Sequence, residues 1–349
     1  MTAGRATQLT RNRRQFLLDA ARVATSLGCV GPLVAALTGC PSDPKPPVPK
    51  PPAPKPIARD KLRLQSSWVN DAEFIGYFVA MKQKLYEAEG LNFEYLSGGP
   101  EIVADSVLLA RRTDIALTTP DVTVNAIIKQ KAPFKIIGTQ YQKSPLGVVS
   151  LEKNNIRTPH DLVGKTLAAP PANVLTVQAF LKLNDIPAAQ VRVVPYQYDP
   201  SPLLHGEVDA TLDFVTNVPF TIRQRGGSPT SFLLYDYGLQ IFNDTVVVHE
   251  ETLEKRRDEL KSWLRASRKG WEEDFSDPAK WPPQLANSYF RGSGRSIDNE
   301  IYFNRAQQPL MEAPGGLFSM SAAAIDGMIR SLQAVGIEAT HDMFVTDLL

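Results

Sequence analysis

Aromatic, amide and carboxylate side chains recur in this chain where apolar segments give way to loops. Trp68 and Asn70 follow LRLQSS, and Gly98 and Gly99 follow LNFEYL. Thr118 and Thr119 lie at the end of DIALTTP with Asp121 directly after it, Gln140 and Tyr141 follow IIGT, and Asn173 follows AAPPA. Tyr196, Tyr198 and Asp199 follow VRVVP, Thr216 and Asn217 follow LDF, and Tyr235, Asp236 and Tyr237 lie at the end of SFLLYDY. These residue types suit binding. Aromatic walls stack flat rings, and carboxylates accept hydrogen bonds from ring amino groups. The same loops hold few cations, which favours a neutral or cationic nitrogen heterocycle over an anion.

Each residue also has a purely structural role open to it. Trp68 can pack inside a lobe, Asn70 can cap a helix, Asp121 can serve only its helix dipole, and Asp199 can cap the segment that begins at Pro200. Tyr196 and Tyr198 alternate, so one of the two is expected to face a ligand. No catalytic constellation stands beside them. His160, His205, His249 and His341 have no metal-ligand partner at useful spacing, and no phosphate-binding glycine loop, nucleophile elbow or HExxH pair occurs. No metal and no cofactor are expected.

The elements that carry these loops alternate in type. LRLQSS reads as a half-buried strand. Asn70 stands three residues before Glu73, the spacing of a capping box, and Phe74, Phe78, Met81 and Leu85 form the stripe of a helix that Gly90 ends. Strand and helix patterns then alternate through DIALTTP, DVTVNAIIKQK, FKIIGTQYQ and LGVVSLEK. A second such series opens at Thr158-Pro159-His160-Asp161, a helix start. This order implies an α/β fold with mostly parallel sheets. DTVVVHEE returns to the first unit, and from Glu251 onward the pattern is helical, with Trp263, Leu264 and Trp271 on amphipathic faces.

The first sixty residues are of another kind. Asn12-Arg13-Arg14-Gln15-Phe16-Leu17 has the twin-arginine pattern of an export signal, and a modest apolar run ends at Leu37-Thr38-Gly39-Cys40, which resembles a bacterial lipobox. Residues 1–40 therefore read as a cleaved signal with Cys40 acylated. Residues 41–57 hold nine prolines and three lysines and read as a polyproline spacer roughly 50 Å long, at about 3.1 Å per residue, within a Pro/Lys-rich linker expected over 41–59. The chain has a net charge of +1, of which residues 1–40 carry +4 and residues 41–57 carry +2, leaving −5 for the body. A mildly acidic body argues against nucleic-acid binding. Both cysteines, Cys29 and Cys40, precede the body.

Trp68, Gly76-Tyr77, Glu89-Gly90-Leu91, Gly98-Gly99-Pro100, DIALTTP, DLVGKTLA and GEVDA together resemble periplasmic substrate-binding proteins of ABC importers. The group in question handles nitrate, alkanesulfonates, taurine and thiamine-pyrimidine precursors, and the resemblance covers roughly residues 60–275. It implies a type II periplasmic-binding-protein fold: two lobes, two crossovers and a cleft between. Lobe one is expected over 60–150 and 245–349, lobe two over 151–244. It further implies a monomer, tethered to a membrane through its lipid, that delivers a small molecule to an ABC permease and ATPase. With the aromatic and acidic loops, the expected ligand is an aminopyrimidine precursor of thiamine or a similar heterocycle, riboflavin being a larger case. The alternatives are a sulfonate, taurine or nitrate carrier, a ligand sensor for a membrane receptor, and a pyrimidine synthase. The synthase relies on a cysteine-rich motif, which a chain with no cysteine after Cys40 lacks.

Overall fold

A computed structural model describes residues 60–349 apart from Gln197. The expected export signal, Cys40 and the proline spacer lie outside the described residues. The strands are β1 Leu62–Gln65, β2 Phe93–Leu96, β3 Ile115–Thr118, β4 Phe134–Tyr141, β5 Leu146–Leu151, β6 Thr166–Ala169, β7 Arg192–Pro195, β8 Ala210–Phe214, β9 Pro229–Leu233 and β10 Asn243–His249. The helices are α1 Ile75–Lys82, α2 Leu85–Ala88, α3 Ala104–Leu109, α4 Pro120–Gln130, α5 Val174–Leu183, α6 Ser201–His205, α7 Val218–Gln224, α8 Glu250–Lys255, α9 Arg257–Ser276, α10 Trp281–Leu285, α11 Ile297–Met311 and α12 Ala322–Ala334.

Two five-stranded sheets result, in the orders β2-β1-β3-β10-β4 and β7-β6-β8-β5-β9. In the first, β1 runs parallel to β2 and β3, while β10 is antiparallel to β3 and β4. In the second, β6 runs parallel to β7 and β8, and β5 is antiparallel to β8 and β9. The chain crosses between sheets after β4 and again before β10. The two crossings are bonded to each other, Ser144 N donating to Ile241 O at 3.1 Å. The sheets divide the chain a little differently from the expected lobe limits. All of β5, from Leu146, pairs in the second sheet, and β10 re-enters the first at Asn243. β5 has its apolar residues on both faces, and only the second sheet offers it two partners.

Each sheet is packed on both faces. On one side of the first sheet α1 meets α9: Tyr77, Phe78, Trp263, Leu264 and Trp271 are fully buried, and the Tyr77 and Trp263 rings stack at 5.8 Å. Val124, Met328 and Leu332 cover the other side. Fully burying a side chain of this class stabilises by about 1.5–3 kcal/mol relative to exposure. The C-terminal helices pack on lobe one, as α9 and α12 show, and two of them also reach lobe two. Tyr302 of α11 packs on Phe220 of α7 at 5.2 Å, and Lys182 of α5 donates to Ala334 O at 3.3 Å.

The first helix departs from expectation at both ends. Asp71, not Asn70, is the cap: its carboxylate accepts from Glu73 N at 2.9 Å, one residue closer than the capping-box spacing. A 3-10 turn, Ala72–Phe74, then leads into α1. Lys84 adopts φ 57°, which breaks the expected single helix into α1 and α2 before Gly90 ends it.

Where α1 crosses α9 the backbones nearly touch. A Cβ on Gly270 would stand 2.3 Å from Gly76 O and 2.6 Å from Ala80 Cβ. Gly270→Ala is therefore expected to destabilise the first lobe by about 1–3 kcal/mol, the cost of overpacking a filled core. Urea unfolding followed by tryptophan fluorescence checks this, and a midpoint equal to that of the parent chain would contradict the packing.

Candidate ligand-binding site

A cavity of about 260 Å³ lies between the two sheets and is lined from both lobes. Lobe one contributes Ser67, Trp68, Glu73, Asp121, Asp244 and Arg295; lobe two contributes Asn173, Tyr198, Asp213 and Asn217. Local sequence explains several placements. Thr119 caps α4, Pro120 occupies the first turn, and Asp121 follows at the positive end of the helix dipole. Beneath this turn the buried Asp105 carboxylate accepts from Thr118 Oγ1 at 2.5 Å and Thr123 Oγ1 at 2.8 Å, which joins the end of β3 to α4. Gly98 N donates to Trp68 O at 2.9 Å and to Ser66 Oγ at 2.8 Å, holding the Trp68 loop.

The sequence-predicted residues divide. Trp68, Thr119, Asp121, Asn173, Tyr198 and Asn217 line the cavity, and the Trp68 and Tyr198 rings meet across the cleft with centroids 5.1 Å apart. Of the two alternating tyrosines, Tyr198 reaches the cavity while Tyr196 is buried in lobe two. The others stand behind the wall or away from it. Thr118 is on Asp105. Thr216 is buried. Gly98 approaches Ser66 too closely for any Cβ, and neither it nor Gly99 borders the cavity. Asn70 is half-buried behind the wall, its Oδ1 without a hydrogen-bond partner. Tyr141 is core, its hydroxyl donating to Gln307 Oε1 at 2.5 Å. Asp199 accepts from Arg225 at 2.8 Å on the surface. Tyr235, Asp236 and Tyr237 form a 3-10 turn on the flank, where Lys143 lies 3.7 Å from Asp236 and over the Tyr235 ring. Each of these displaced residues is adjacent to a strand end, but the strand's last turn aims it at the core or at solvent.

Four residues that sequence reasoning passed over dominate the electrostatics. Glu73, read as a cap partner, turns its carboxyl to the cavity, as do Asp213 of β8 and Asp244 of β10. Arg295 arrives from the loop before α11. Its guanidinium forms an ion pair with the fully buried Asp71. With its amide set to satisfy both neighbours, Asn217 accepts from Arg295 Nε at 3.1 Å and Nη2 at 2.8 Å, and donates to Asn299 Oδ1 at 3.1 Å. Arg295 thus joins the two lobes at the floor of the cleft. Two signals were available, an acid inside a mostly apolar strand, ATLDF, and an arginine in a glycine-serine loop, GSGRS.

Burial sets the protonation of these groups. It raises the Asp213 carboxyl to about 7. It also raises Glu73 well above the ordinary range, with the nearby Asp244 and Asp71 charges adding to the effect. Asp244 is raised by burial too, against hydrogen bonds from Glu73 and Ser67 that favour its charged form. Gln140, expected at the ligand, instead orients this pair: its Nε2 donates to Glu73 O at 2.7 Å and Asp244 Oδ2 at 3.2 Å. Among the described residues no group of three or more His, Cys, Asp or Glu is arranged to hold a metal ion, and no helix is long and apolar enough to cross a membrane.

Arg295→Ala leaves Asp71 buried without its partner, and the expected cost is about 3–5 kcal/mol. The double variant Asp71→Asn, Arg295→Met keeps the cap on Glu73 N and removes both charges, so it should recover most of that loss. Chemical denaturation of the two variants tests the pairing; equal losses in both would contradict it.

A family model described as NMT1/THI5 like matches residues 71–281. The riboflavin-binding protein RibY of Chloroflexus aurantiacus is 22% identical over 226 residues, 62% of this chain, and the chain spans 63% of that relative's length. The periplasmic aliphatic sulphonate binding protein SsuA of Escherichia coli has a similar structure, with TM-score 0.62 at 14% identity over 79% of this chain and 90% of that one. The desulfurization enzyme DSZB also does, with TM-score 0.56 at 12% identity over 83% and 97%. The fold is that of periplasmic binding proteins.

Proposed function

Since this chain belongs to the NMT1/THI5-like family, we propose that it is a solute-binding lipoprotein that captures a nitrogen heterocycle and presents it to an ABC permease and its ATPase. The observation that carries the ligand class is the carboxyl-rich lining of the cavity. Glu73, Asp121, Asp213 and Asp244 line it, and Arg295 is the one cationic side chain among the described lining residues. That cation is already paired with Asp71. A sulfonate or nitrate entering here would face carboxylates and find its only cation engaged. A ring bearing amino groups would find acceptors, with Trp68 and Tyr198 as apolar walls. The aminopyrimidine precursors of thiamine have this chemistry, and the similarity to a riboflavin-binding protein supports a flat nitrogen heterocycle of some size. The enzymatic reading lacks support, because no cysteine follows Cys40.

Calorimetry of the full chain with a formylaminopyrimidine, riboflavin, taurine and nitrate tests the ligand class. Micromolar or tighter binding is expected for at least one heterocycle and none for the anions; the reverse order would sink the reading. For the heterocycle that binds, Trp68→Ala should weaken affinity by about 1–3 kcal/mol, the scale of a lost stacking surface.

Attachment is tested separately. Export through the twin-arginine signal and acylation at Cys40 would leave the protein in the membrane fraction, with the ligand-binding body held off by the proline spacer. Cys40→Ala should shift it to the soluble fraction. Membrane retention of that variant would argue against the lipid anchor.

A further inference from the structure

Glu73 and Asp244 both line the cavity, and Gln140 Nε2 joins them, donating to Glu73 O at 2.7 Å and to Asp244 Oδ2 at 3.2 Å. Both are buried, with 5% and 1% exposure. Around them stand the Asp71 charge, the Arg295 guanidinium and the buried hydroxyls of Tyr77, Tyr95 and Tyr141, with Ser67 Oγ at 3.4 Å from Asp244 Oδ1. Burial, and for each the other's charge or that of Asp71, disfavours two ionised carboxylates here, so the pair tends to keep a proton. Across the cavity stands Asp213, 6% exposed, with the Tyr196 and Thr211 hydroxyls beside its carboxyl. Arg295 directs Nη1 to Asp71 and Nε and Nη2 to Asn217, so its hydrogen bonds go to those two residues and not to the cavity carboxyls.

We infer that Glu73 and Asp244 are the specificity-determining pair of this cavity, and that they select a ligand whose cationic edge presents paired N–H donors, an amidinium or a protonated amino-heterocycle, by giving up the proton they keep to solvent as the ligand binds. The inference rests on the solute-binding reading and narrows it to charge. Two adjacent carboxylates match a forked donor, as they match a guanidinium. Asp213 supplies a further acceptor from the opposite lobe, so that a bound cation is held from both sides. The proton balance is simple: the ligand brings one positive charge, and the pair releases one proton to the buffer. Lower pH keeps the pair protonated, so affinity for the cation falls as pH falls.

The test uses benzamidine, benzamide and benzoate with the full chain, three ligands of one shape that carry positive, zero and negative charge. Calorimetry in buffers of different ionisation enthalpy reads protons released. Benzamidinium is expected to bind at least about tenfold more tightly than benzamide, with benzoate unbound and about one proton released for each benzamidinium bound. Its affinity should drop from about pH 8 to about pH 6. Glu73→Gln and Asp244→Asn should each remove the proton release and most of the preference. Equal affinity for benzamide, absence of proton release from the parent chain, or no benzamidinium binding at millimolar concentration overturns the inference. A heterocycle that binds while benzamidinium is not preferred defeats this inference and leaves the ligand class standing. Preference for benzamidinium with no heterocycle bound does the opposite.

Discussion

More carboxyl groups are buried near Arg295 than one guanidinium can neutralise. Asp71, Glu73, Asp213 and Glu300 all feel its charge, and Asp244 is hydrogen-bonded to one of them. A water-excluding interior penalises each unpaired charge heavily, so the surplus must be held as protons. Much of the local structure follows from how that shortage is shared. Asp71 takes the ion pair and caps the turn before α1. That turn places Glu73 at the cavity, and Ala72 N, in the same turn, donates to Glu300 of α11 at 2.8 Å. Asn217 accepts from Arg295 Nε and Nη2 and brings lobe two into the arrangement. Helix geometry, lobe contact and ligand chemistry thus depend on the same few groups.

The fold was legible because its signals are local. Alternation in LRLQSS, the apolar run of IALT and the apolar face of α9 each depend on neighbours a few residues apart, and those elements formed where the pattern put them, while the Thr158-Pro159 start gave a 3-10 turn. The site was only half legible. Trp68, Thr119, Asp121, Asn173, Tyr198 and Asn217 reach the cavity because strand exits do converge there in an open α/β sheet. Gln140 and Tyr141 leave β4 at the same edge, but β10 and α11 cover them, and both of those elements come from much later in the chain. Arg295 and Asp244 could not be found by the same reasoning. Their importance arises from pairing with residues more than a hundred positions away, and no periodicity reports that. Asp213 did leave a local mark, its place inside a mostly apolar strand, where a carboxyl needs a reason.

The likeness to a sulphonate-binding protein and to a desulfurization enzyme, each below 15% identity, concerns the frame. One frame can hold sites of opposite charge, because the strand-exit side chains are replaceable without touching the sheets beneath. Ligand class is therefore better argued from the four carboxyls in this cavity than from the neighbours' names.

The second sheet is an insertion within the first, and this bears on how the chain is made. β10 lies between β3 and β4, yet it is synthesised about a hundred residues after them, once all of lobe two has emerged. The apolar face of α1 waits longer still, for Trp263 and Trp271 of α9. Lobe two has all its strands in one continuous stretch and can close as soon as that stretch is out. Lobe one cannot. During synthesis it remains a set of unpaired strand edges and uncovered aromatic rings, and a chain cut short before β10 would stay in that condition permanently. The vulnerable half of this molecule in the cell is thus the half that begins first, and its protection until the last helices arrive is a matter of timing and chaperoning as much as of thermodynamics.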